Sequence, residues 1–221
     1  MNEKAAIQGY DISSFSAAVI GCGGLGTNVS VHLAGAGIGK LWLCDYDIVQ
    51  ARNLNRQFFY TPSDIGQPKC GILAQRLAHY APEAEILSIN RKINSVSDLN
   101  FAAKADILIL AVDNQTTRSV VNRFCFENNL PLVNGGVDGA FGTAYLFVPG
   151  KTADLAAAGA LHPPVHPPVS QSPTVGIIGA LQAKLATDHL LGKSDSQGIL
   201  LCFDGLEIHA LRIQYKGDDA T

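Results

Sequence analysis

Ala17-Ala-Val-Ile-Gly21-Cys-Gly23-Gly24-Leu-Gly26 opens as a short apolar run and closes on glycines at the G-x-G-x-x-G spacing. An apolar run ending in glycine suits a buried strand, and Leu25–Ala36 follows with helix formers up to a Gly35/Gly37 stop. Strand, glycine turn and helix in that order allow a tight turn and bring a phosphate close to the amides of a helix start. Gly21, Gly23, Gly24 and Gly26 are therefore expected to bind a nucleotide. The motif alone fits NAD, FAD or ATP.

The pattern continues on the C-terminal side. Leu41–Cys44 reads as a second buried strand ending at Asp45, which is placed to accept hydrogen bonds from a ribose hydroxyl. Pro68 suits a first helical turn, and Ile72, Leu73, Arg76, Leu77 and Tyr80 then recur at helical spacing up to Pro82. Ala84–Ile89, Asp106–Val112 and Pro131–Asn134 read as further strands, with a helix over Thr116–Asn128. Strands alternating with helices mean βαβ units and a parallel sheet. After Asn134 the pattern changes: a Gly-rich turn over Asn134–Gly139, an extended strand over Phe141–Val148, and a proline-rich surface loop over Lys151–Pro173. An apolar helix broken by glycines is expected over Thr174–Leu191, and a closing strand pair over Ile199–Phe203 and His209–Gln214. The expected fold is α/β, a Rossmann-like mostly parallel sheet with an antiparallel C-terminal extension, in a single domain over residues 1–221.

Composition narrows the class. With 47% hydrophobic and 16% charged residues, 221 residues suffice for one substantial core. A net charge of −3 disfavours nucleic acid and acidic membrane surfaces as partners. The five cysteines are dispersed, with no C-x-x-C pair, and read as reduced thiols of a cytoplasmic protein. The N-terminus lacks the apolar stretch of a signal peptide, and no segment approaches the roughly 20 apolar residues of a membrane span.

Charge accounting chooses among nucleotides. A triphosphate carries about four negative charges, and attack at its α-phosphorus develops more on the leaving pyrophosphate. Such a site needs fixed cationic donors and a magnesium ion held by a carboxylate. Arg56, Lys69 and Asp113 can supply these from separate segments, and Asn53, Asn55 and Gln57 add neutral donors and acceptors. A nicotinamide cofactor, with only a diphosphate bridge, would not call for this set. Asp47 is read in a supporting part, holding a helix start or positioning Arg56, and Arg52 either joins the phosphate cluster or faces solvent.

The sequence resembles the ThiF/MoeB enzymes, bacterial relatives of the ubiquitin-activating enzymes. The carrying residues are Gly21-Cys-Gly-Gly-Leu-Gly26, Asp45-Tyr-Asp47, Asn53-Leu-Asn-Arg-Gln57, Gly66-Gln-Pro-Lys69, and Asp113-Asn114 leading to Arg118 and Asn122. Gly179-Ala-Leu-Gln182-Ala and Phe203-Asp204-Gly205 are weaker echoes. The resemblance implies a homodimer that binds Mg-ATP and the Gly-Gly tail of a small ubiquitin-like sulfur carrier. The tail carboxylate attacks the α-phosphate to give carrier-AMP and pyrophosphate. By position, Gly24 meets the phosphates, Asp45 the ribose, Asn53 and Arg56 the phosphates, and Lys69 the triphosphate. Asp113 binds magnesium, and Asp47, Asn55, Gln57 and Asn114 complete the nucleotide-binding set. Residues 17–135 would form the nucleotide-binding half and residues 136–214 the carrier-binding half, with the tail passing beneath the crossover loop, 151–173.

Three departures from the family pattern matter. The paired C-x-x-C motifs of a structural zinc are missing, so no zinc is expected. The crossover loop holds no cysteine, so adenylation should end the chemistry. Residues 1–16 hold no arginine to reach a partner subunit's ATP site, and Lys4 is the only substitute in reach of the same argument. His162 and His166 have metal-ligand spacing but lie among prolines and read as ordinary loop residues. Phe58-Phe59-Tyr60 and Trp42 read as core or dimer interface, and Cys22, Cys44 and Cys202 as small packed residues. Cys70, beside Lys69 at a helix start, is the thiol whose pKa could fall. The rival readings are a non-catalytic subunit that binds a ubiquitin-like partner, an NAD(P)-dependent oxidoreductase, and a ThiF-like tRNA-modifying dehydratase.

Overall fold

A computed structural model of the protein describes residues 9–161, 169–193 and 198–213. Eight strands form one sheet in the order β3-β2-β1-β4-β5-β6-β7-β8. The strands are β1 (Ser16–Ile20), β2 (Lys40–Cys44), β3 (Glu85–Ile89), β4 (Ile107–Leu110), β5 (Leu132–Asp138), β6 (Phe141–Phe147), β7 (Ile199–Phe203) and β8 (Ile208–Arg212). Pairings from β3 across to β5 are parallel, and those from β5 to β8 are antiparallel. The helices are α1 (Gly24–Gly35), α2 (Lys69–Tyr80), α3 (Gln115–Glu127) and α4 (Ser172–Leu190).

The period-2 alternation of the strands divides the core into two layers. Ala17, Val19, Leu41, Leu43, Ile107 and Ile109 face one way, onto Leu33 of α1, Leu73 and Leu77 of α2, and Ala186 of α4. Ala18, Ile20, Leu108, Leu110 and Leu132 face the other way, onto Val121 and Phe124 of α3 and onto Tyr145 and Phe147 of β6. The chain winds outward from β1 to β3, then returns to lay β4 on the other side of β1. The carboxyl ends of β1 and β4 therefore flank the point where strand order reverses, the place where such sheets bind ligands.

Three expectations need correction. Asn134–Gly139 is not a turn: β5 continues to Asp138, and the chain reverses only between Asp138 and Phe141. Gly135 is there for closeness, since a Cβ at that position would lie 2.4 Å from Cδ of Gln182. Helix α4 is not broken by its glycines: it runs unbroken, and a Cβ on Gly179 would lie 2.5 Å from Cβ of Asn28 on α1. The first part of the crossover does not lie loosely on the surface. Thr152, Ala153 and Leu155 are buried, and the Asn122 side chain takes the Leu155 amide (3.0 Å) while its Nδ2 donates to Asp154 (2.9 Å). Lys4, His162, His166 and Gln214 lie outside the described residues.

Candidate active site

The glycine turn leaves β1 through Gly21, whose φ of +97° favours glycine and whose amide donates to the Cys44 carbonyl of β2 (2.8 Å). Asp45 shapes the same turn. Its carboxylate accepts the Cys22 amide (2.7 Å) and the Asp47 amide (2.8 Å), fixing the end of β2 against the end of β1. Burial raises the Asp45 pKa, opposed by those two amides and by Lys69 nearby.

After Asp47 the chain folds back over the turn. Asn53 accepts the Gln50 amide through Oδ1 (3.1 Å) and is buried. Gln57 is also buried, and its Nε2 lies 3.5 Å from where a Cβ on Gly23 would stand. A Cβ on Gly24 would lie 3.4 Å from the Arg56 carbonyl and only 2.6 Å from Val175 of α4. Gly24 thus allows the turn, the Arg56 segment and α4 to meet. Arg56 is half-buried and donates to the Arg52 carbonyl (3.2 Å) and to Asn55 Oδ1 (2.9 Å).

Lys69 opens α2 and is 5% exposed, with its Nζ held 2.9 Å from Asp47 Oδ2. The supporting role expected of Asp47 is therefore directed to Lys69 rather than to Arg56. Tyr60, expected as core or interface, is buried and its hydroxyl reaches the carbonyls of Cys22 (2.8 Å) and Lys69 (3.2 Å). A phenol bridging the glycine turn to the start of α2 was not legible as such, because nothing in the spacing distinguishes it from a packed aromatic.

Asp113 follows β4 and is exposed. Asn114 is the N-cap of α3, accepting the Thr117 amide through Oδ1 (2.8 Å). Arg118, a turn into that helix, is buried and committed to structure: it bonds to Asn134 Oδ1, the Val112 carbonyl (2.6 Å) and the Gly135 carbonyl (2.9 Å). Burial lowers its pKa, opposed by Asp113. Gln182 of α4 likewise donates to the Leu110 carbonyl (3.0 Å), tying the late helix to β4.

A single cavity of about 880 Å3 joins these groups. It is lined by Gly21, Gly23, Gly24, Asp45, Asp47, Asn53, Arg56, Gln57, Lys69, Asp113 and Asn114, whereas Gly26 and Asn55 do not line it. A Cβ on Gly26 would fall 1.8 Å from the Gly21 carbonyl oxygen, so that glycine serves helix–turn packing. The cavity extends past the nucleotide-side residues to Gly136 and Thr143 on the β5–β6 hairpin and to Ser170 of the crossover. The sequence reading missed Arg91, beyond β3, which also lines it.

The polar groups suit a magnesium-bound triphosphate. Gln57 Oε1 is buried without a hydrogen-bond partner among the described residues, an acceptor suited to a hydroxyl on a ligand. No group of three or more His, Cys, Asp or Glu among the described residues could hold a metal unaided. A lone carboxylate such as Asp113 can suffice for magnesium when substrate phosphates and water supply the other ligands. The five cysteines have no disulfide partner, and burial raises each thiol pKa, that of Cys44 to about 12. For Cys70, the thiol whose pKa could have fallen, the direction is upward: burial outweighs the backbone hydrogen bonds that lower its pKa.

Sheet order and glycine turn define a Rossmann-type α/β protein whose cation-lined cleft lies at the topological switch point. The ThiF family model matches residues 6–219, and the chain belongs to that family. It is 33% identical over 194 residues to the sulfur carrier protein ThiS adenylyltransferase of Escherichia coli K12, covering 85% of this chain and 76% of that one. It is 28% identical over 217 residues to the molybdopterin-synthase adenylyltransferase of the same organism, covering 93% and 87%. Among solved structures, E. coli MccB with ATP superposes with a TM-score of 0.81 at 27% identity, over 91% of this chain and 64% of MccB. The chain spans less than half of the adenylyltransferase and sulfurtransferase MOCS3 of Aedes aegypti (45%). No described helix is long and apolar enough to cross a membrane.

Proposed function

We propose that this protein is a cytoplasmic adenylyltransferase. It uses Mg-ATP to adenylate the C-terminal carboxylate of a small ubiquitin-like sulfur carrier, releasing pyrophosphate. The observation that carries this reading is the cavity's extent. One volume spans the glycine turn, Arg56, Lys69 and Asp113, and continues to the wall of the antiparallel half at Gly136 and Thr143. A hydride-transfer enzyme needs no cation set of this kind, whereas a nucleotide and a carboxylate tail meeting end to end need both regions. The names of the relatives support the same reaction, because they are adenylyltransferases of sulfur carriers and of molybdopterin synthase.

In this reading residues 17–135 bind the nucleotide and residues 136–214 bind the carrier. Asp45 and Gln57 receive ribose hydroxyls, the former keeping its two amide bonds. Arg56 and Lys69 face the phosphates and take up the charge that develops as the tail carboxylate attacks the α-phosphorus. Lys69 arrives already oriented by Asp47, so little reorganisation accompanies binding. Asp113 would hold magnesium, which when bound neutralises phosphate charge. In this reading no cysteine forms a thioester: Cys22, Cys44, Cys70 and Cys125 are buried, Cys202 is half-buried, and burial raises each thiol pKa. The carrier is expected to end in Gly-Gly and the enzyme to be a homodimer, which sedimentation velocity tests directly.

The deciding experiment is carrier-dependent ATP–pyrophosphate exchange against a panel of small ubiquitin-like proteins. Exchange with one or more carriers is expected. ATP binding without exchange on any carrier would favour the non-catalytic subunit, and NAD binding without ATP binding would overturn the reading.

A further inference from the structure

Five cations line the cleft: Arg52, Arg56, Lys69, Arg91 and Arg118. Two of them are committed within the fold. Lys69 is paired with Asp47, and Arg118 spends its guanidinium on Asn134, Val112 and Gly135. Arg91 lies beyond β3, two strands away from the glycine turn. Arg52 differs from all of these. It sits in the 3-10 turn Ala51–Asn53, four residues ahead of Arg56, in the segment that folds back over Gly23 and Gly24. Its Nε donates to Gln50 Oε1 (2.7 Å), which fixes the side chain by its inner nitrogen. Its terminal nitrogens make no hydrogen bond or ion pair with the described residues, and its own carbonyl receives Arg56 Nη1 (3.2 Å).

Resting on the adenylation reading, we propose that Arg52 is a phosphate-binding residue that pairs with Arg56 as a same-chain clamp on the β- and γ-phosphates. Arg56 lies against Gly24, at the glycine turn, and is half-buried. Arg52 is exposed and reaches the same cavity from one turn earlier. A guanidinium held by one nitrogen keeps its outer fork for the two oxygens of a phosphate, a geometry lysine cannot reproduce. In this proposal the clamp acts on the groups that leave as pyrophosphate and makes no contact with the adenosine monophosphate portion. It would give the site a second arginine on the phosphates from within one chain.

The test compares ATP with AMP by titration calorimetry, both with magnesium, on the whole protein. Arg52→Gln should weaken ATP binding by about 10- to 100-fold, the range for losing a charged hydrogen-bonding partner, and leave AMP binding unchanged. Arg52→Lys should recover only part of the loss. In pyrophosphate exchange, the same Gln variant should raise the KM for pyrophosphate more than it lowers kcat. Arg123→Ala, which removes an exposed arginine paired with Glu127 on the far end of α3, should change neither affinity. Equal ATP affinity in wild type and Arg52→Gln would overturn the clamp and leave the adenylation reading standing. Parallel losses for ATP and AMP would also overturn it, by marking the residue as structural. A wild-type protein that binds neither nucleotide would overturn both.

Discussion

Lys69 lines the cleft as a nearly buried ammonium already paired with Asp47. A cation fixed before substrate arrives stabilises developing phosphate charge without reorganising at the moment of reaction. Lys69→Ala and Arg56→Ala should each lower carrier-dependent pyrophosphate exchange by about 10²–10³-fold. Asp113→Asn should do comparable damage and shift the magnesium dependence to higher concentration. Steady-state exchange at varied magnesium measures all three, and wild-type behaviour in every variant would mean the site lies elsewhere. At this scale it was readable from the sequence that Arg56, Lys69 and Asp113 would share one cleft, because they follow strands whose ends a parallel sheet brings together. The partners were not readable. Asp47 could have served Arg56 as well as Lys69, and only the fold decides between them.

Among the elements, α4 and β5 show how a glycine can mislead. In sequence Gly179 looks like a helix breaker and Gly135-Gly136 like a turn, yet both glycines at 135 and 179 mark places where other side chains come within contact distance. That signal is tertiary, so local propensity could not supply it. Gly179→Ala sets the two effects against each other. Alanine favours a helix by about 1 kcal/mol over glycine, whereas overpacking costs about 1–3 kcal/mol. With Asn28 Cβ 2.5 Å from the new methyl, the second effect should win and the midpoint of chemical denaturation should fall. A more stable variant would refute the close packing of α1 on α4. The β7–β8 turn offers a separate check. The Asp204 carboxylate accepts the Glu207 amide (3.0 Å), contacts His209 Nε2 (3.0 Å) and accepts the Leu206 amide (3.1 Å), which together lower its pKa to about 2. A depressed carboxylate stabilises the turn above its unfolded value near 4 and loses that contribution as pH falls through about 2. The Glu207 amide shift in an NMR titration should therefore have its midpoint near 2, and a midpoint near 4 would contradict the turn.

Considered whole, the molecule places all five cysteines where burial works against thiolate formation. A cysteine-free variant that folds should still form carrier-adenylate and release pyrophosphate. Intact-mass spectrometry of enzyme, carrier and Mg-ATP would detect a covalent enzyme–carrier adduct, and its loss in one cysteine variant would refute the adenylate-only chemistry. The alternation of strands and helices made the parallel half of the sheet legible, and Asp204-Gly205 between two extended runs marked the closing antiparallel pair. The packed entry to the crossover was less so, since Asn122 and Leu155 meet across 33 residues and leave no local trace.

The contact between Gly24 and Val175 sets a timetable for synthesis. Every nucleotide-side residue named above has left the ribosome long before α4, yet the glycine turn rests against Val175 and β4 is tied to Gln182. A nascent chain ending before residue 172 carries the residues proposed to bind phosphate without the helix that backs them. Since domains fold as units while synthesis proceeds from the N-terminus, nucleotide capture should begin abruptly once α4 emerges. Stalled ribosome complexes of increasing chain length, assayed for ATP retention, should stay empty until α4 clears the tunnel and bind thereafter. Retention by a chain stalled before α4 would show that the turn forms without its backing helix.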